Sequence, residues 1–367
     1  MADLSLTIVA GARPNFIKVA ALMHEVTRRH LSFRLIHTGQ HFSHEMSKSF
    51  FDDLEIPEPD VNLEISGGTQ IQQLAQIMTA LEPLMRERPQ DILVVVGDVT
   101  STVAAALTAS KLGIPVAHVE AGLRSFDRTM PEEINRIVTD ALADYLFTTE
   151  PSGEENLLRE GVPASKIFFT GNVMIDTLLR FREKAARSSV LSDWHLEPRS
   201  YAVATMHRPA NVDDPARFSR LLNVLEQISV RIPVFFPVHP RTRQRIDASG
   251  VNSSRMVLAP PQSYLDFVHL IANARMVLTD SGGVQEETTI LNVPCLTMRE
   301  NTERPITINC GTNQLVGVEP EGILGAAIQT LELAPQPVRM PQLWDGHAGA
   351  RIIDVLAQVS ARPRVVF

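Results

Sequence analysis

The chain has 367 residues, of which 44% are hydrophobic and 21% charged, and this length favours two globular domains. Its 34 basic residues are outnumbered by 42 acidic ones, which gives a formal net charge of -8. This balance excludes an overall basic field that would hold nucleic acid or an anionic membrane, so any contact with a phosphate must be local.

The two cysteines, Cys295 and Cys310, are too few for a disulfide framework and favour a reducing compartment. The start of the chain lacks the basic segment, the long apolar segment and the cleavage site of a secretory signal. No stretch reaches the ~20 apolar residues that a membrane helix needs. We therefore expect a cytoplasmic protein without a membrane span.

In the first half of the chain, short apolar segments alternate with helical patterns. This alternation is typical of a parallel, doubly wound α/β sheet. The segments are apolar on both faces, as in "DILVVVGD", which is expected where helices cover both sides of the sheet. The predicted strands are 6–10, 33–37, 92–97, 116–119, 145–148 and 167–170.

The charged segment 182–199, "REKAARSSVLSDWHLEPR", predicts a linker or domain boundary. A second alternating series follows it, so we predict two Rossmann-like domains, 1–172 and 173–345. The last segment, 346–367, has helical apolar spacing and is expected to pack back on the first domain. The predicted strands of the second series are 201–205, 234–238, 256–258, 276–279, 295–297 and 315–318.

Ligands of doubly wound sheets bind at the carboxyl ends of the strands, so residues that follow strands are candidates for a site. After the first strand, "GARPNFIK" places Arg13 and Lys18 at a turn and in the helix that follows it, a location suited to anions. Surface charge is the alternative for both side chains. The dinucleotide pattern G-x-G-x-x-G is absent, which argues against an NAD site.

Carboxylates follow the third and fourth strands. Asp98 lies in "VGDVTST" and Glu120 in "HVEAGLRS", while "DRTMPEEINR" places Glu132 in the first turn of a helix, with Arg136 on the same face. Together they predict a cluster of carboxylates at one edge of the sheet. A helix N-cap for Asp98 and a surface ion pair for Glu132 are the alternatives.

In the second domain, "TDSGGVQEET" leads from a strand into a helix. Ser281 and Gly282 offer a hydroxyl and an open backbone at a helix N-terminus, which predicts a diphosphate cradle. Glu287 lies further along this helix and is a candidate acceptor for ribose hydroxyls. Arg304 in "RENTERP" is a candidate phosphate clamp, with a solvated loop charge as the alternative.

Among the eleven histidines, His37, His41 and His44 lie close together in "HTGQHFSHE". Without paired cysteines, an H-E-x-x-H pattern or an acidic cage, this spacing does not predict a metal site. His207 in "TMHRPAN" and His239 in "PVHPR" follow predicted strands. For His207 we favour proton transfer or ligand binding over core packing.

Eight motifs occur in a single order along nearly the whole chain: "GARPNFIK", "TGQHF", "GDVTST", "HVEAGLRS", "MPEEINR", "GNVMID", "DSGGVQEE" and "ENTERP". In this order they resemble the non-hydrolysing UDP-N-acetylglucosamine 2-epimerases. The resemblance implies the two-domain glycosyltransferase-B architecture. It also implies reversible conversion of UDP-N-acetylglucosamine into UDP-N-acetylmannosamine, by elimination of UDP to 2-acetamidoglucal and re-addition, without a cofactor.

Motif matching implies roles for individual residues, with a UDP-sugar as the bound partner and a homodimer as the assembly. The implied catalytic residues are Asp98, Glu120, Glu132 and His207. The implied substrate-binding residues are Arg13, Lys18, Arg136, Ser281, Gly282, Glu287 and Arg304. A second, regulatory sugar-nucleotide site would involve Gln40, His41, Arg208 and His239. Ala210 stands where many relatives carry a glutamate, so this regulatory site is expected to be weak or absent.

Several further functions stay open at the level of sequence. "GARPNFIK" and "TGQHF" also resemble relatives that act on UDP-2,3-diacetamido-2,3-dideoxyglucuronic acid, so the decoration of the sugar at C3 and C6 is undetermined. A glycosyltransferase of the same architecture, a hydrolysing epimerase and a non-catalytic sugar-nucleotide sensor are compatible with the same motifs, because a fold does not decide a function.

Overall fold

The computed structural model describes residues 4–39, 50–87, 91–238, 240–249, 255–333 and 339–360. The chain forms two compact units. The first comprises Met1–Leu179 together with Gln342–Phe367, and the second comprises Arg180–Pro341.

The first unit is built on a seven-stranded parallel sheet with the order β3-β2-β1-β4-β5-β6-β7. The order reverses between β1 and β4, and this switch point is where ligands of doubly wound sheets bind. The strands are β1 (Ser5–Ala10), β2 (Ser32–His37), β3 (Val61–Asn62), β4 (Ile92–Val96), β5 (Val116–Ala121), β6 (Tyr145–Thr148) and β7 (Ile167–Phe169). The helices are Arg13–Arg28, Gln70–Glu87, Thr100–Lys111, Pro131–Leu142, Pro151–Arg159, Val173–Ala185 and Ala348–Ser360, with a 3₁₀ turn at Ala164–Lys166.

The second unit is built on a six-stranded parallel sheet with the order β10-β9-β8-β11-β12-β13, which reverses between β8 and β11. The strands are β8 (Ala202–Thr205), β9 (Val234–Pro237), β10 (Met256–Ala259), β11 (Met276–Thr279), β12 (Cys295–Thr297) and β13 (Asn313–Leu315). The helices are Val190–Asp193, Pro209–Val212, Pro215–Ser229, Pro240–Ser249, Tyr264–Asn273, Gly282–Leu291, Ile306–Asn309 and Pro320–Glu332. The prediction of two doubly wound parallel α/β sheets is confirmed.

Local sequence explains where many of these elements begin. Proline is the first residue of several helices, because its fixed φ angle suits the first turn and its missing N–H would have no partner there. Examples are Pro131, Pro151, Pro209, Pro215 and Pro320. In the part of the chain that the structure describes, no helix is long and apolar enough to span a membrane.

The helix Thr100–Lys111 is buried along most of its length. It packs between the helices Gln70–Glu87 and Pro131–Leu142. Its alanines, among them Ala104 and Ala105, allow this close approach because they carry no bulk beyond Cβ. The packing fixes the start of this helix directly after the loop that carries Asp98.

The final helix, Ala348–Ser360, packs against the helix Arg13–Arg28. The carboxylate of Asp176 accepts hydrogen bonds from the backbone N–H groups of Ala348 at 3.1 Å and Gly349 at 2.7 Å. Trp344, buried just before this helix, donates from Nε1 to the Thr149 carbonyl at 2.9 Å. The end of the described chain is thus fastened to the first unit by a capped helix and an anchored tryptophan.

Gly171 permits the close approach of this returning segment. Its φ is +88°, and an added Cβ atom would lie 2.1 Å from the Leu343 carbonyl oxygen. We expect Gly171→Ala to lower the free energy of unfolding by about 3 kcal/mol or more, since a strained backbone and an overlap act together. The control is Gly113→Ala, with φ +71° but no atom within 4 Å, for which only about 1–2 kcal/mol of backbone cost is expected. Equal losses in urea denaturation would contradict this explanation.

Candidate active site

Two of the predicted catalytic carboxylates lie at the carboxyl ends of β4 and β5. Asp98 follows β4, is partly exposed, and accepts a hydrogen bond from the guanidinium of Arg136. The side chain of Asn135 donates to the Asp98 carbonyl at 2.8 Å. Asp98 is therefore held from both its side chain and its backbone by the helix Pro131–Leu142.

Glu120 lies within β5 rather than after it, because the strand continues to Ala121 through a shift of register. Its φ is +75°, a left-handed conformation that costs a non-glycine residue of order 1–3 kcal/mol. Such strain and such bulges occur preferentially at functional sites, where they re-aim a side chain. Here the buried carboxylate lies 2.5 Å from the ammonium group of Lys18.

Lys18 belongs to the helix Arg13–Arg28 and is itself buried. The Lys18 Nζ pairs with Glu120 and also lies close to Gly97, since a Cβ atom added at Gly97 would be 3.2 Å from it. Lys18, predicted to bind an anion, is thus an internal partner of the predicted catalytic carboxylate Glu120, beside the Gly97 turn. The side chain of Arg13 lies outside the described residues, as do Gln40, His41, His44 and His239.

Arg136 is fully buried, and besides Asp98 it pairs with Glu133, whose Oε2 lies 2.6 Å from its Nη2. Glu133 also accepts from the backbone N–H groups of Ser125 at 3.0 Å and Phe126 at 2.9 Å. Burial acts to raise the pKa of Glu133, but these hydrogen bonds and the charge of Arg136 outweigh it and lower the pKa. The sequence places Glu133 beside Glu132 among the carboxylates of this edge, but the prediction gave it no role in the site, although its spacing of three residues from Arg136 was a local signal.

Glu132 lies in the first turn of the helix Pro131–Leu142, as predicted, and is half-buried. The structure therefore brings Asp98, Arg136 and Glu133 together in one described network. Glu120 and Lys18 form a second pair at the neighbouring strand end. Asp98 and Glu120 are thus each paired with a buried cation.

In the second unit, Asp280 occupies the switch point between β8 and β11. It is fully buried and accepts from the backbone N–H groups of His207 at 3.1 Å and Arg208 at 3.0 Å. The amide of Asn211 donates to it at 3.1 Å. Burial acts to raise the pKa of Asp280, but the charge and the hydrogen bonds of His207 lower it. Sequence reasoning missed this residue, although it directly follows a strand in "TDSGG".

The ring of His207 is held by Asp280 through Nδ1 at 2.9 Å, while its side chain is 59% exposed. With Nδ1 donating to a carboxylate, Nε2 remains on the opposite side of the ring. This arrangement is common where a histidine transfers protons, because the carboxylate orients the ring and stabilises its charged form. The geometry favours the predicted chemical role of His207 over core packing.

Ser281 is the N-cap of the helix Gly282–Leu291, at the end of β11. A Cβ atom added at Gly282 would lie 2.3 Å from Nη1 of Arg304 and 2.8 Å from a Glu303 carboxylate oxygen. Only glycine therefore fits between the start of this helix and the buried groups beneath it. The open backbone N–H groups of such a helix start are suited to a phosphate.

Arg304 is buried rather than solvated. Its Nε lies 2.8 Å from a Glu286 carboxylate oxygen, and its Nη1 pairs with Glu303. Glu303 also pairs with Arg299 at 2.7 Å and lies 3.6 Å from the guanidinium of Arg208. The interpretation of Arg304 as a solvated loop charge is therefore wrong, since this residue supports the helix start within a network of ion pairs.

Glu287 lies in the same helix and is buried. Burial, followed by the negative charge of Glu286, raises its pKa to about 8, although the Tyr264 hydroxyl donates a hydrogen bond that opposes the shift. A carboxyl group with this pKa is mostly protonated at neutral pH. It can then donate as well as accept a hydrogen bond.

Among the residues that the structure describes, no group of three or more His, Cys, Asp or Glu side chains could hold a metal ion. His37 is buried, and its Nδ1 lies 3.2 Å from the side-chain oxygen of Asn62.

The chain matches a family model described as UDP-N-acetylglucosamine 2-epimerase over residues 24–357. It belongs to the UDP-N-acetylglucosamine 2-epimerase family. It is 39% identical over 366 residues to the UDP-N-acetylglucosamine 2-epimerase of Methanocaldococcus jannaschii, covering 96% of this chain and 99% of that one. It is 41% identical over 360 residues to the UDP-2,3-diacetamido-2,3-dideoxy-D-glucuronate 2-epimerase of Pseudomonas aeruginosa, with coverage of 96% and 99%.

Solved structures of the same family have the same fold. The M. jannaschii UDP-GlcNAc 2-epimerase, in complex with UDP-GlcNAc and UDP, matches with a TM-score of 0.91 at 38% identity, covering 97% of this chain and 100% of that one. The Neisseria meningitidis enzyme bound to UDP-GlcNAc matches with a TM-score of 0.88 at 29% identity and the same coverage. The resemblance predicted from eight ordered motifs is confirmed, and this member of the epimerase family is an isomerase.

The raised pKa of Glu287 predicts how the stability of this epimerase family member depends on pH. Because the folded-state pKa of about 8 exceeds the ordinary value of 4.5, folding retains a proton that the unfolded chain releases. The contribution is full below pH 4.5 and is lost as pH rises towards 8. Relative to Glu287→Gln, the wild type should lose about 2–4 kcal/mol between pH 5 and 8 in urea denaturation. A constant difference between the two proteins would show that Glu287 titrates normally.

Proposed function

We propose that the chain interconverts UDP-N-acetylglucosamine and UDP-N-acetylmannosamine by eliminating UDP and adding it back. The observation that carries this proposal is the pair of strand-end carboxylates, Asp98 and Glu120, each held by a buried cation. They occur in a family whose M. jannaschii member forms a complex with UDP-GlcNAc and UDP. The homodimer and the cytoplasmic location stay predictions.

The elimination step needs a base at C2. The base takes the C2 proton, and the electrons of the C–H bond form a double bond between C1 and C2. The C1–O bond breaks at the same carbon, and UDP leaves with the electron pair of that bond. In the reverse step a diphosphate oxygen attacks C1, and a proton returns to C2 on the opposite face. Asp98, Glu120 and Glu132 supply the acid and base groups. Each assisted proton transfer increases the reaction rate about 10²–10⁴-fold.

The leaving diphosphate needs positive or hydrogen-donating groups that do not have to reorganise. We assign this role to His207, oriented by Asp280, and to the helix start at Ser281 and Gly282. Glu287 is assigned to the ribose hydroxyls. Lys18, Arg136 and Arg304 are assigned to substrate binding through the carboxylates and the helix start that they fix, and Arg13 to direct contact with the anion.

A second candidate substrate is UDP-2,3-diacetamido-2,3-dideoxy-D-glucuronate, because the P. aeruginosa relative named for it is 41% identical to this chain. The difference between the two substrates lies in the groups at C3 and C6, while the chemistry at C1 and C2 is the same.

The predicted regulatory site would include Arg208, whose guanidinium lies 3.6 Å from Glu303. Ala210, two residues after Arg208, stands where many relatives carry a glutamate. We propose that the regulatory site to which Arg208 would contribute is weak.

The test is incubation of the purified protein with each UDP-sugar alone, followed by chromatography. We expect the C2 epimer of one of the two sugars to form with UDP still attached. Free N-acetylmannosamine would identify a hydrolysing enzyme instead. Unchanged substrate that is consumed only after an acceptor is added would identify a glycosyltransferase, and binding without turnover would identify a sensor. Asp98→Asn serves as the control for contaminating activity.

A further inference from the structure

A buried polar network lies behind the two strand-end carboxylates and consists of His118, Asp140 and Arg124. All three side chains are almost completely buried. None of them is needed to hold or transform substrate in the function proposed above. Buried charged groups that the chemistry does not use require another explanation, because removing them from water is costly unless they are paired.

His118 connects the network to the turn that carries Asp98. It lies on β5, and its Nε2 is 2.9 Å from the carbonyl oxygen of Gly97 at the end of β4. On the other side of the ring, Nδ1 is 2.6 Å from Oδ1 of Asp140. The ring therefore contacts one oxygen atom through each of its two nitrogens.

Asp140 connects the network to the bulge that carries Glu120. Its Oδ2 accepts from the backbone N–H of Gly122 at 3.1 Å, two residues after Glu120. The same oxygen lies 2.7 Å from Nη1 of Arg124. Burial acts to raise the pKa of Asp140, but the charges and hydrogen bonds of His118 and Arg124 lower it. One ionised carboxylate thus fixes the bulge and the histidine at once.

Arg124 anchors the network to Glu160, the C-cap residue of the helix Pro151–Arg159. Its Nε and Nη2 make a two-pronged contact with the carboxylate of Glu160, at 2.8 Å and 2.6 Å. A satisfied network of this kind is rigid, since no member moves without leaving a buried group unpaired.

We propose that His118 is a positioning residue that fixes the Gly97–Asp98 turn relative to Glu120. The chain from the Gly97 carbonyl through His118 and Asp140 to the Gly122 N–H joins the two strand ends that carry the carboxylates. The inference rests on the proposed function, because it assigns His118 to the spacing of groups that act on one sugar.

A matched pair of substitutions separates the two contacts of the ring. Glutamine places an N–H donor near the position of Nε2 and keeps the link to Gly97, whereas asparagine places one near Nδ1 and keeps only the link to Asp140. We expect His118→Asn to lower kcat about 100-fold, the scale of a misplacement by about 1 Å. We expect His118→Gln to stay within about 10-fold of the wild type.

Both variants should keep their KM and their calorimetric affinity for UDP within about 2-fold, because the proposed diphosphate site lies on the second unit. Equal losses of kcat in the two variants, or a wild-type kcat in His118→Asn, would overturn the proposal. If His118 acts only in folding, the thermal midpoints fall together and kcat per folded molecule is unchanged. The circular dichroism spectrum and the thermal midpoint report whether each variant is folded, since His118 lies on the first unit and the proposed diphosphate site on the second.

Should His118→Asn not fold, Asp140→Asn tests the same chain of contacts. Its amide nitrogen replaces either the oxygen that faces Nδ1 of His118 or the oxygen that accepts from Gly122 and pairs with Arg124, and the amide carries no charge to hold either partner. We expect a loss of about 10-fold in kcat at unchanged KM, and a wild-type kcat would overturn the proposal. A wild-type protein that epimerises neither UDP-sugar would instead contradict the proposed function, so the two failures are distinct.

Discussion

Replacing Asp98, Glu120 or Glu132 by its amide should lower kcat about 100-fold or more while UDP still binds. The amide keeps the size of the side chain and removes the charge that accepts or delivers a proton. The protein groups to which we assign binding of the diphosphate lie elsewhere in the chain, at Ser281 and Gly282. A loss in kcat without a loss of UDP affinity is therefore the expected signature.

The three amides should differ in stability, because their surroundings differ. Glu120→Gln leaves the buried ammonium of Lys18 without its counter-charge, and breaking a buried ion pair costs about 3–5 kcal/mol. Asp98→Asn is milder, because Arg136 keeps its contact with Glu133. The half-buried Glu132 should matter least to stability.

Steady-state assays measure kcat, calorimetry measures the affinity for UDP, and urea denaturation measures the free energy of unfolding. Glu82→Gln is the matched control, since this carboxylate is exposed on the helix Gln70–Glu87 and pairs across one helical turn with Arg86. It should behave as the wild type in all three measurements. If all three site amides retain near-normal rates, the assignment of the catalytic carboxylates is wrong.

Gly282→Ala should lower the affinity for UDP about 100-fold and also destabilise the second unit. An added Cβ atom would lie 2.3 Å from Nη1 of Arg304 and 2.8 Å from Glu303. These groups are buried in ion pairs and have no solvent space to move into, so the start of the helix must shift instead. A shift that loses about 2.8 kcal/mol of binding free energy corresponds to the 100-fold weakening.

Gly325→Ala provides the control for this substitution. Gly325 lies in the helix Pro320–Glu332, and an added Cβ atom there would meet no atom within 4 Å. Alanine in an open helical position is expected to stabilise the protein by about 0.5–1 kcal/mol. Wild-type affinity for UDP in Gly282→Ala would show that the helix start does not bind the diphosphate.

Most of the fold could be predicted from the sequence, because buried parallel strands are continuous apolar segments and the helices between them have their own period. The exceptions are at the edges of the sheets. β3 has two residues, Val61–Asn62, which is too short for any pattern. The last strand was predicted at 315–318 but is Asn313–Leu315. It begins at a buried polar residue, Asn313, whose side-chain amide donates hydrogen bonds to Gln285 and Thr307. A polar residue inside a strand is invisible to hydrophobic patterning.

The positions of the candidate site residues could be predicted, whereas their partners could not. Asp98 stands out in the sequence because it directly follows an apolar strand. The ion pair between Lys18 and Glu120 joins residues on different elements, and so does the contact between the Asp280 carboxylate and the His207 ring. Such pairings are set by the order of strands in the sheet, and no local spacing encodes them. The left-handed backbone of Glu120 likewise had no signal of its own.

The most direct measurement of the proposed elimination and re-addition is NMR spectroscopy of UDP-N-acetylglucosamine incubated with the protein in D2O. Elimination removes the C2 proton into a group that exchanges with solvent. We therefore expect UDP-N-acetylmannosamine to appear with deuterium at C2, and the recovered UDP-N-acetylglucosamine to acquire deuterium there as equilibrium is reached. If UDP-2,3-diacetamido-2,3-dideoxy-D-glucuronate is the substrate, the same label is expected at its C2. Product that retains its original C2 hydrogen would contradict elimination and re-addition.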